Sequence, residues 1–330
     1  MDQPLTDITT AAPFPRSRVL VTGGSGFIGR SLVDELLRRG TDVVNLDPVP
    51  GPGRWTPGDV RDLPADLPTV DAVVHVAGLA GGGSPTDAEL HGVNADGTAR
   101  VVDHAVRTGV RRLVLISSIA VLGPSEQPLD ESAPPRPTGA YGRSKLLAER
   151  AVTRAAHETG IEVAIVRPGY VFGHDNRGNF GRMVAAIRSG RFAVPGRRDT
   201  LKAGIYLPDL VGLLVRLLDA ASPPPLVHAV YPDTPTLGAL VAMIHGRLEA
   251  DPTTPGLPAP RVVPDPLVRA GLRALDVAAG TGIRRAADLG ETIRKLRGSS
   301  NVVSSVLDSS SWAFGWQDAL DDLLVTGPGS

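Results

Sequence analysis

The chain has 330 residues, 42% of them hydrophobic, enough for one large α/β domain or a domain with a smaller lobe. Lys plus Arg total 34 and Asp plus Glu 35, a net charge of −1, so no global field draws the chain to nucleic acid or to an anionic membrane. There is no cysteine, which excludes disulfides, thiolate zinc sites and a cysteine nucleophile, and fits a reducing compartment.

Residues 1–16 hold three prolines and read as a flexible N-terminal arm. They lack the basic start and apolar run of a secretory signal, and no later stretch is apolar for long enough to span a bilayer, so a cytoplasmic location is expected. Arg18-Val-Leu-Val-Thr22 is a short β-type run; a glycine turn follows, then helical spacing from Phe27 to Arg39 with Gly40 as the stop. Further strands are expected over Asp42–Leu46, Asp71–Val76, Arg112–Ser117 and Glu162–Val166, and helices over Asp87–Arg107 and Tyr141–His157. Continuous apolar runs alternating with helices point to a parallel sheet buried on both faces, a doubly wound α/β fold of the Rossmann type. Beyond about Arg167 the pattern loosens. Helices are expected near Asn179–Arg188, Asp209–Leu218 and Leu237–Leu248, a late strand over Leu226–Val230, and a proline-rich surface connection over Asp251–Pro266.

Thr22-Gly-Gly-Ser-Gly-Phe-Ile-Gly29 lies between the first strand and the first helix. It contains Gly24-Ser-Gly26-Phe-Ile-Gly29 and the Gly23, Gly26, Gly29 triplet, the spacings of a dinucleotide-binding turn. Glycine permits the tight turn and close backbone approach to a pyrophosphate, and the helix N-terminus favours the anion. Asp47 ends the second strand, where a carboxylate accepts from adenosine ribose hydroxyls and repels a 2′-phosphate, favouring NAD over NADP. Read without a ligand, Asp47 opens a turn before Pro48, and Arg30 and Arg54 lie close enough in sequence to weaken the preference. Asp59-Val60 is either a contact to the adenine edge or part of a plain turn. Residues 17–173 thus read as a dinucleotide-binding domain, and 174–330 mainly as a smaller substrate-binding lobe, with elements over about 201–232 returning to the core.

Tyr141 and Lys145 are four residues apart and share one face of a helix. A free phenol, with a pKa near ~10, is a poor base at neutral pH. A neighbouring ammonium is expected to lower that value, giving a tyrosine that exchanges a proton with a substrate oxygen while hydride moves. Ser118 lies just past a strand, at the sheet edge where ligands bind, and either holds the reacting oxygen or closes a turn. Asn94 either orients a water or backbone group near the site or is a helix-surface residue. His75 reads as a packed or hydrogen-bonded residue, Trp312 and Trp316 as packing residues, and the seven histidines show no metal-ligand spacing, so no metal is expected.

The run from Arg18 to about Asp209 resembles the extended short-chain dehydrogenase/reductase family. The resemblance rests on TGGSGFIG (22–29), Asp47, GDVRD (58–62), HVAGLAGGGSP (75–85), the Asn94–Thr98 run, SSIAVLG (117–123), YGRSK (141–145) and RPGYVFG (167–173), with a weaker echo in Phe314-Gly-Trp316. It implies a catalytic Ser118, Tyr141 and Lys145. It also implies a cofactor, NAD rather than NADP, against Gly23, Gly26, Phe27, Ile28, Gly29, Asp47, Asp59, Val60, Ala77, Gly78, Asn94, Ser117 and Pro168 as well as Tyr141 and Lys145. The substrate is expected against Leu79, Ser118, Tyr170, Arg182 and Lys202, and a homodimer is expected by the same resemblance.

Within the family, HVAGL is similar to the corresponding segment of UDP-galactose 4-epimerases. That implies a nucleotide-sugar substrate whose 4-hydroxyl loses its proton to Tyr141, passes through a 4-keto form and regains hydride on the other face. Several positions depart from family patterns. Ile119-Ala120 stands where 4,6-dehydratases carry Asp-Glu, Tyr170 where epimerases carry a sugar-nucleotide-binding Asn, Ala80 where they carry Lys, and Lys202 where they carry a diphosphate-binding Arg. Arg188, Arg191, Arg197, Arg198 and Lys202 place five cations in 15 positions, either part of a diphosphate site or a solvated loop. Three readings stay open: an NAD-dependent epimerase, an NAD(P)H-dependent reductase of a keto-sugar or other small ketone, and a non-catalytic dinucleotide sensor.

Overall fold

The computed structural model describes residues 18–80, 85–176, 178–254 and 256–324; the arm expected over residues 1–16 lies outside them. In chain order the elements are β1 (Arg18–Thr22), α1 (Phe27–Arg38), β2 (Asp42–Asp47), β3 (Arg54–Pro57), β4 (Ala72–His75), α2 (Asp87–Leu90), a wide π-helical segment (His91–Asp96), α3 (Gly97–Arg107) and β5 (Arg112–Ile116). There follow β6 (Ser125–Leu129), α4 (Ala140–Thr159), β7 (Glu162–Pro168), β8 (Tyr170–Phe172), α5 (Asn179–Arg188), β9 (Ala193–Pro195), β10 (Gly204–Tyr206), α6 (Leu207–Asp219) and β11 (Leu226–Ala229). The chain then runs through α7 (Leu237–Ala250), β12 (Arg261–Val263), α8 (Asp265–Gly280), α9 (Arg284–Arg297), β13 (Ser300–Val302) and α10 (Trp316–Leu324).

Seven strands form one sheet in the order β11-β7-β5-β4-β1-β2-β3, and every neighbouring pair is parallel. Parallel strands need crossover connections, and those place helices on both faces, so both faces are dry. Alternate residues sort accordingly. Val19, Val21 and Val74 enter the core shared with α1 and α6, whereas Leu20, Val73 and Leu113 enter the core shared with α3 and α4. The strand order reverses between β1 and β4, which opens a crevice beyond their carboxyl ends, the usual ligand position of such sheets. The doubly wound α/β architecture is therefore the one the apolar runs imply.

The differences are local and have physical causes. The helix expected over Asp87–Arg107 is interrupted by the wide turn His91–Asp96. Three-residue strands such as β8, β9 and β10 are too short to show a period of two, and the sequence reading does not place them. The surface connection expected over Asp251–Pro266 instead contains β12, paired with β9, and the start of α8. Its prolines do not exclude a helix. Pro264 caps α8 and Pro266 sits in the first turn, where the missing N–H has no intrahelical partner.

Leu32 on α1 is fully buried against the sheet. Leu32→Ala removes most of its side chain from a close-packed interior and is expected to cost about 2–5 kcal/mol, read from the denaturant midpoint at unchanged m-value.

Candidate active site

The glycine turn closes β1 onto α1 by contacts that admit no side chain. A Cβ on Gly29 would stand 2.0 Å from the Gly23 carbonyl oxygen. Gly23 has φ +72°, and a Cβ there would meet the Ala77 backbone at 2.7 Å. The Gly26 N–H donates to the Gly23 carbonyl at 3.1 Å. α1 has no side-chain N-cap and no acidic residue in its first turn, so the amides of Phe27 and Ile28 and the positive end of the dipole are not neutralised there. That donor set fits a dinucleotide pyrophosphate.

Asp47 ends β2 beside this turn. Its Oδ2 accepts from the Ser25 N–H at 3.1 Å and its Oδ1 from the Val49 N–H at 2.8 Å, which fixes a buried carboxylate next to the phosphate position. The Asp59 carboxylate accepts from the Arg61 backbone N–H and guanidinium, and that pairing pulls its pKa down. Val60 is a core residue packed under Gly97.

The loop after β4 forms the facing wall. His75 is fully buried between two hydroxyls, with Nδ1 2.6 Å from Thr22 Oγ1 and Nε2 2.8 Å from Thr98 Oγ1. Thr98 donates to the Asn94 carbonyl, so it accepts from His75 Nε2, and Nδ1 accepts from Thr22. Burial, with the Lys145 charge second, pushes His75 down to about 3, so the ring is neutral and structural, as the sequence reading holds. Asn94 lies in the wide turn. Its Nδ2 donates to the Leu79 carbonyl and to Ser144 Oγ, both at 3.0 Å, and its Oδ1 accepts from the Leu79 N–H at 2.8 Å. It holds the Leu79 backbone and the Ser144 hydroxyl. The segment 81–84 of this loop lies outside the described residues.

Ser118 follows β5. Its Oγ accepts from the Ala120 N–H at 3.1 Å, and its hydroxyl, near the Tyr141 phenol, pulls that phenol's pKa down. Gly142 makes that meeting possible, because a Cβ there would sit 2.4 Å from the Ala120 carbonyl oxygen; α4 rests directly on the turn that carries Ser118. One turn further, Lys145 Nζ donates to the Ile116 carbonyl at 2.9 Å. A Cβ on Gly78 would lie 2.9 Å from that ammonium, so the post-β4 loop touches the lysine. Burial pushes Lys145 down to about 8, partly opposed by the Glu149 carboxylate. The expectation of a phenol lowered by its neighbouring ammonium is corrected for Tyr141. Desolvation raises its pKa, and the opposing pull comes from Ser118, not from Lys145.

Ser117, expected at the cofactor, turns its hydroxyl inward and donates to Glu149 Oε1 at 2.5 Å. Glu149 also binds Arg167 through both oxygens, at 2.9 and 2.7 Å. Sequence reading missed this buried pair, although Glu149 lies one helical turn from Lys145 on the same face. Pro168 ends β7 and, with Tyr170 at the start of β8, lies at the carboxyl edge of the sheet. Lys202 is not free for a diphosphate. Its Nζ donates to the carbonyls of Lys295 and Gly298, at 3.0 and 2.6 Å, closing the C-terminus of α9, and burial brings it down to about 8. Arg182 donates to Asn179, and Arg197 to Asp199 and Glu126. Trp312 and Trp316 are buried and pack as expected, Trp316 stacking on Phe172 at 4.9 Å.

Gly29→Ala is expected to weaken NADH binding at least about tenfold, about 1.4 kcal/mol, by nicotinamide fluorescence titration. His75 gives a signed pH effect. The unfolded ring titrates near 6.5 and the folded ring at about 3, so between these values the unfolded chain binds the extra proton and stability falls as pH falls. In His75→Gln the acid limb of unfolding free energy against pH should be shallower by up to about 1.4 kcal/mol per pH unit in that window.

Residues 19–228 match the NAD dependent epimerase/dehydratase family. The chain is 32% identical over 260 residues to dTDP-6-deoxy-L-talose 4-dehydrogenase (NAD(P)(+)) of Kitasatospora kifunensis, covering 71% of this chain and 80% of that one. It is 31% identical over 201 residues to N-acetyl-alpha-D-glucosaminyl-diphospho-ditrans,octacis-undecaprenol 4-epimerase of Escherichia coli O157:H7, covering 58% of this chain and 60% of that one. For several other curated relatives the matched part spans 42% to 58% of their length. The fold superposes on MoeE5 in complex with UDP-glucose and NAD with a TM-score of 0.72 at 23% identity, covering 93% of this chain and 97% of that one, a likeness of fold. The chain belongs to the NAD dependent epimerase/dehydratase family of extended short-chain dehydrogenases/reductases.

Proposed function

We propose that this chain is an NAD-dependent enzyme that oxidises the secondary alcohol of a bound sugar derivative and, as an epimerase, restores it with inverted configuration at C4. The observation that carries the reading is one continuous row: the Gly23 turn against Ala77, Gly78 against the Lys145 ammonium, and Tyr141 one helical turn from Lys145 with Gly142 seating α4 on the Ser118 turn. Position 4 is supported by two relatives named as a 4-epimerase and a 4-dehydrogenase, which also support a sugar carried on a nucleotide or on a lipid diphosphate.

Bound NAD supplies the hydride acceptor and donor. The chain's own groups handle the proton and the geometry. Tyr141 Oη takes the proton of the reacting hydroxyl and gives it back, and Ser118 Oγ donates to the same oxygen, holding it at the phenol. Lys145 is anchored on the Ile116 carbonyl one helical turn from Tyr141 and is positively charged below its pKa of about 8. The Asp47 carboxylate, held by two backbone N–H groups, accepts from ribose hydroxyls and opposes a 2′-phosphate, which supports NAD over NADP. Ile119 and Ala120 supply no acid–base pair for eliminating water, which argues against a dehydratase.

A second reading, a dehydrogenase or reductase that exchanges its nicotinamide cofactor, is favoured by one observation: Lys202, in the position of a diphosphate anchor, is spent on α9.

The epimerase reading expects NAD to co-purify, by mass spectrometry of the released nucleotide, and turnover without added cofactor; consumption of added NAD(P)H in proportion to product selects the second reading. Tyr141→Phe is expected to lower kcat about 10²–10⁴-fold with bound NAD unchanged, and full activity in that variant removes the mechanism.

A further inference from the structure

Beyond Tyr170 the second half of the chain encloses a cavity of about 570 Å³, within the range of roughly 300–1,000 Å³ that small-molecule sites occupy. Tyr170 stands two residues past the end of β7, and β7 is the neighbour of β5, the strand that leads to Ser118. The cavity thus reaches the carboxyl edge of the sheet at Tyr170 and lies beneath α8 and α9.

Its walls are mostly hydrocarbon. Phe180 and Met183 come from α5, Leu240 from α7, and Leu275, Ile293 and Leu296 from the α8–α9 pair. The cations that touch it offer a nucleotide diphosphate little. Lys202 caps α9, Lys295 pairs with Glu291, Arg182 is bonded to Asn179, and Arg182 and Arg191 are exposed to water. Burial among apolar neighbours also pushes the Tyr170 phenol up to about 12.

The roof repeats the character of the walls. Leu267, Val277, Ile283 and Leu289 on or between α8 and α9 are exposed, and Leu289, 51% exposed, also lines the cavity. Val268 is the one hydrophobic side chain of α8 that is buried and Ala286 that of α9, among the described residues.

We infer that this cavity receives an extended hydrocarbon group of the substrate, so that the alcohol oxidised at Tyr141 is carried on an apolar body and not on a nucleotide. The inference rests on the hydride-transfer reading above and names its substrate class. A branched isoprenoid chain and a fused-ring hydrocarbon share the chemistry the walls recognise, and they differ in flexibility.

The test uses the full chain with NADH bound, titrated separately with farnesol, with cholesterol and with UDP-glucose, following tryptophan emission and calorimetric heat. At least one hydrocarbon probe should saturate at one per chain, farnesol marking a flexible chain and cholesterol a fused-ring body, without displacement by UDP-glucose. Leu275→Glu places a charge in the hydrocarbon wall and should weaken that binding at least about tenfold. Gly271→Phe is the second variant: a Cβ at Gly271 meets no atom within 4 Å, so the added ring has room, and it should fill the cavity and block the probe. NADH titration is the control in both variants and should not change. Failure of both hydrocarbons to saturate, displacement by UDP-glucose, or undiminished binding in both variants overturns the inference while leaving hydride transfer standing. Failure of the wild-type chain to bind NADH overturns the hydride-transfer reading instead.

Discussion

The two walls of the cofactor crevice are held at their spacing by one buried carboxamide. Asn94 spends both amide protons and its carbonyl on Leu79 and Ser144, and through them joins the loop after β4 to the catalytic helix α4. No solvent reaches it, so losing either partner would leave a desolvated donor or acceptor without a bond, a penalty of about 1–3 kcal/mol. The amide reaches both neighbours because the helix widens over His91–Asp96, a local irregularity of the kind that recurs at functional sites. The contact of Gly78 with the Lys145 ammonium, and with it the position of Tyr141 against Ser118, depends on this spacing.

Beneath Ser118, Tyr141 and Lys145 lies a layer of buried charge that compensates itself. Glu149, one turn along α4 from Lys145, is neutralised by Arg167 and by the Ser117 hydroxyl, and its field opposes the burial that lowers Lys145. Arg167 lies 3.4 Å from His228 Nε2, whose backbone N–H binds Glu131 and whose Nδ1 meets the Val303 carbonyl. Glu131 in turn accepts from Ser304 and Ser305. The chain of bonds runs from the catalytic helix to the segment after β13, so the C-terminal half is tied to the site by polar groups whose separation would be costly. A second tie comes from Asp209 at the start of α6, which accepts from the Tyr231 hydroxyl and from the backbone of Ala313 and Phe314.

The two halves of the chain divide the work. The parallel sheet holds the glycine turn, Asp47 and the Ser118–Tyr141–Lys145 set at its carboxyl edge, in the part that matches the family. The cavity beyond Tyr170 is built largely from α5, α7, α8 and α9, and much of that lies past the matched residues.

The parallel sheet and the glycine turn were legible in the sequence, because both are written in local patterns, apolar runs of strand length and glycines at fixed offsets; Tyr141 and Lys145, one helical turn apart, gave a proposal for the reacting groups. Only the tertiary structure decided where polar groups spend their bonds. Lys202 reads as an anion anchor by its place in the chain, yet it closes α9 from 93 residues away in sequence. Ser117 and Ser118 are adjacent, and the alternation of an extended backbone sends one hydroxyl to Glu149 and the other to Tyr141. The direction of the Tyr141 shift was likewise beyond reach, since burial competes with a nearby charge and only packing sets how dry the phenol is. A cavity is the space between elements that are distant in sequence, and its hydrocarbon walls could be assembled only once α8 and α9 were seen to roof over α5 and α7.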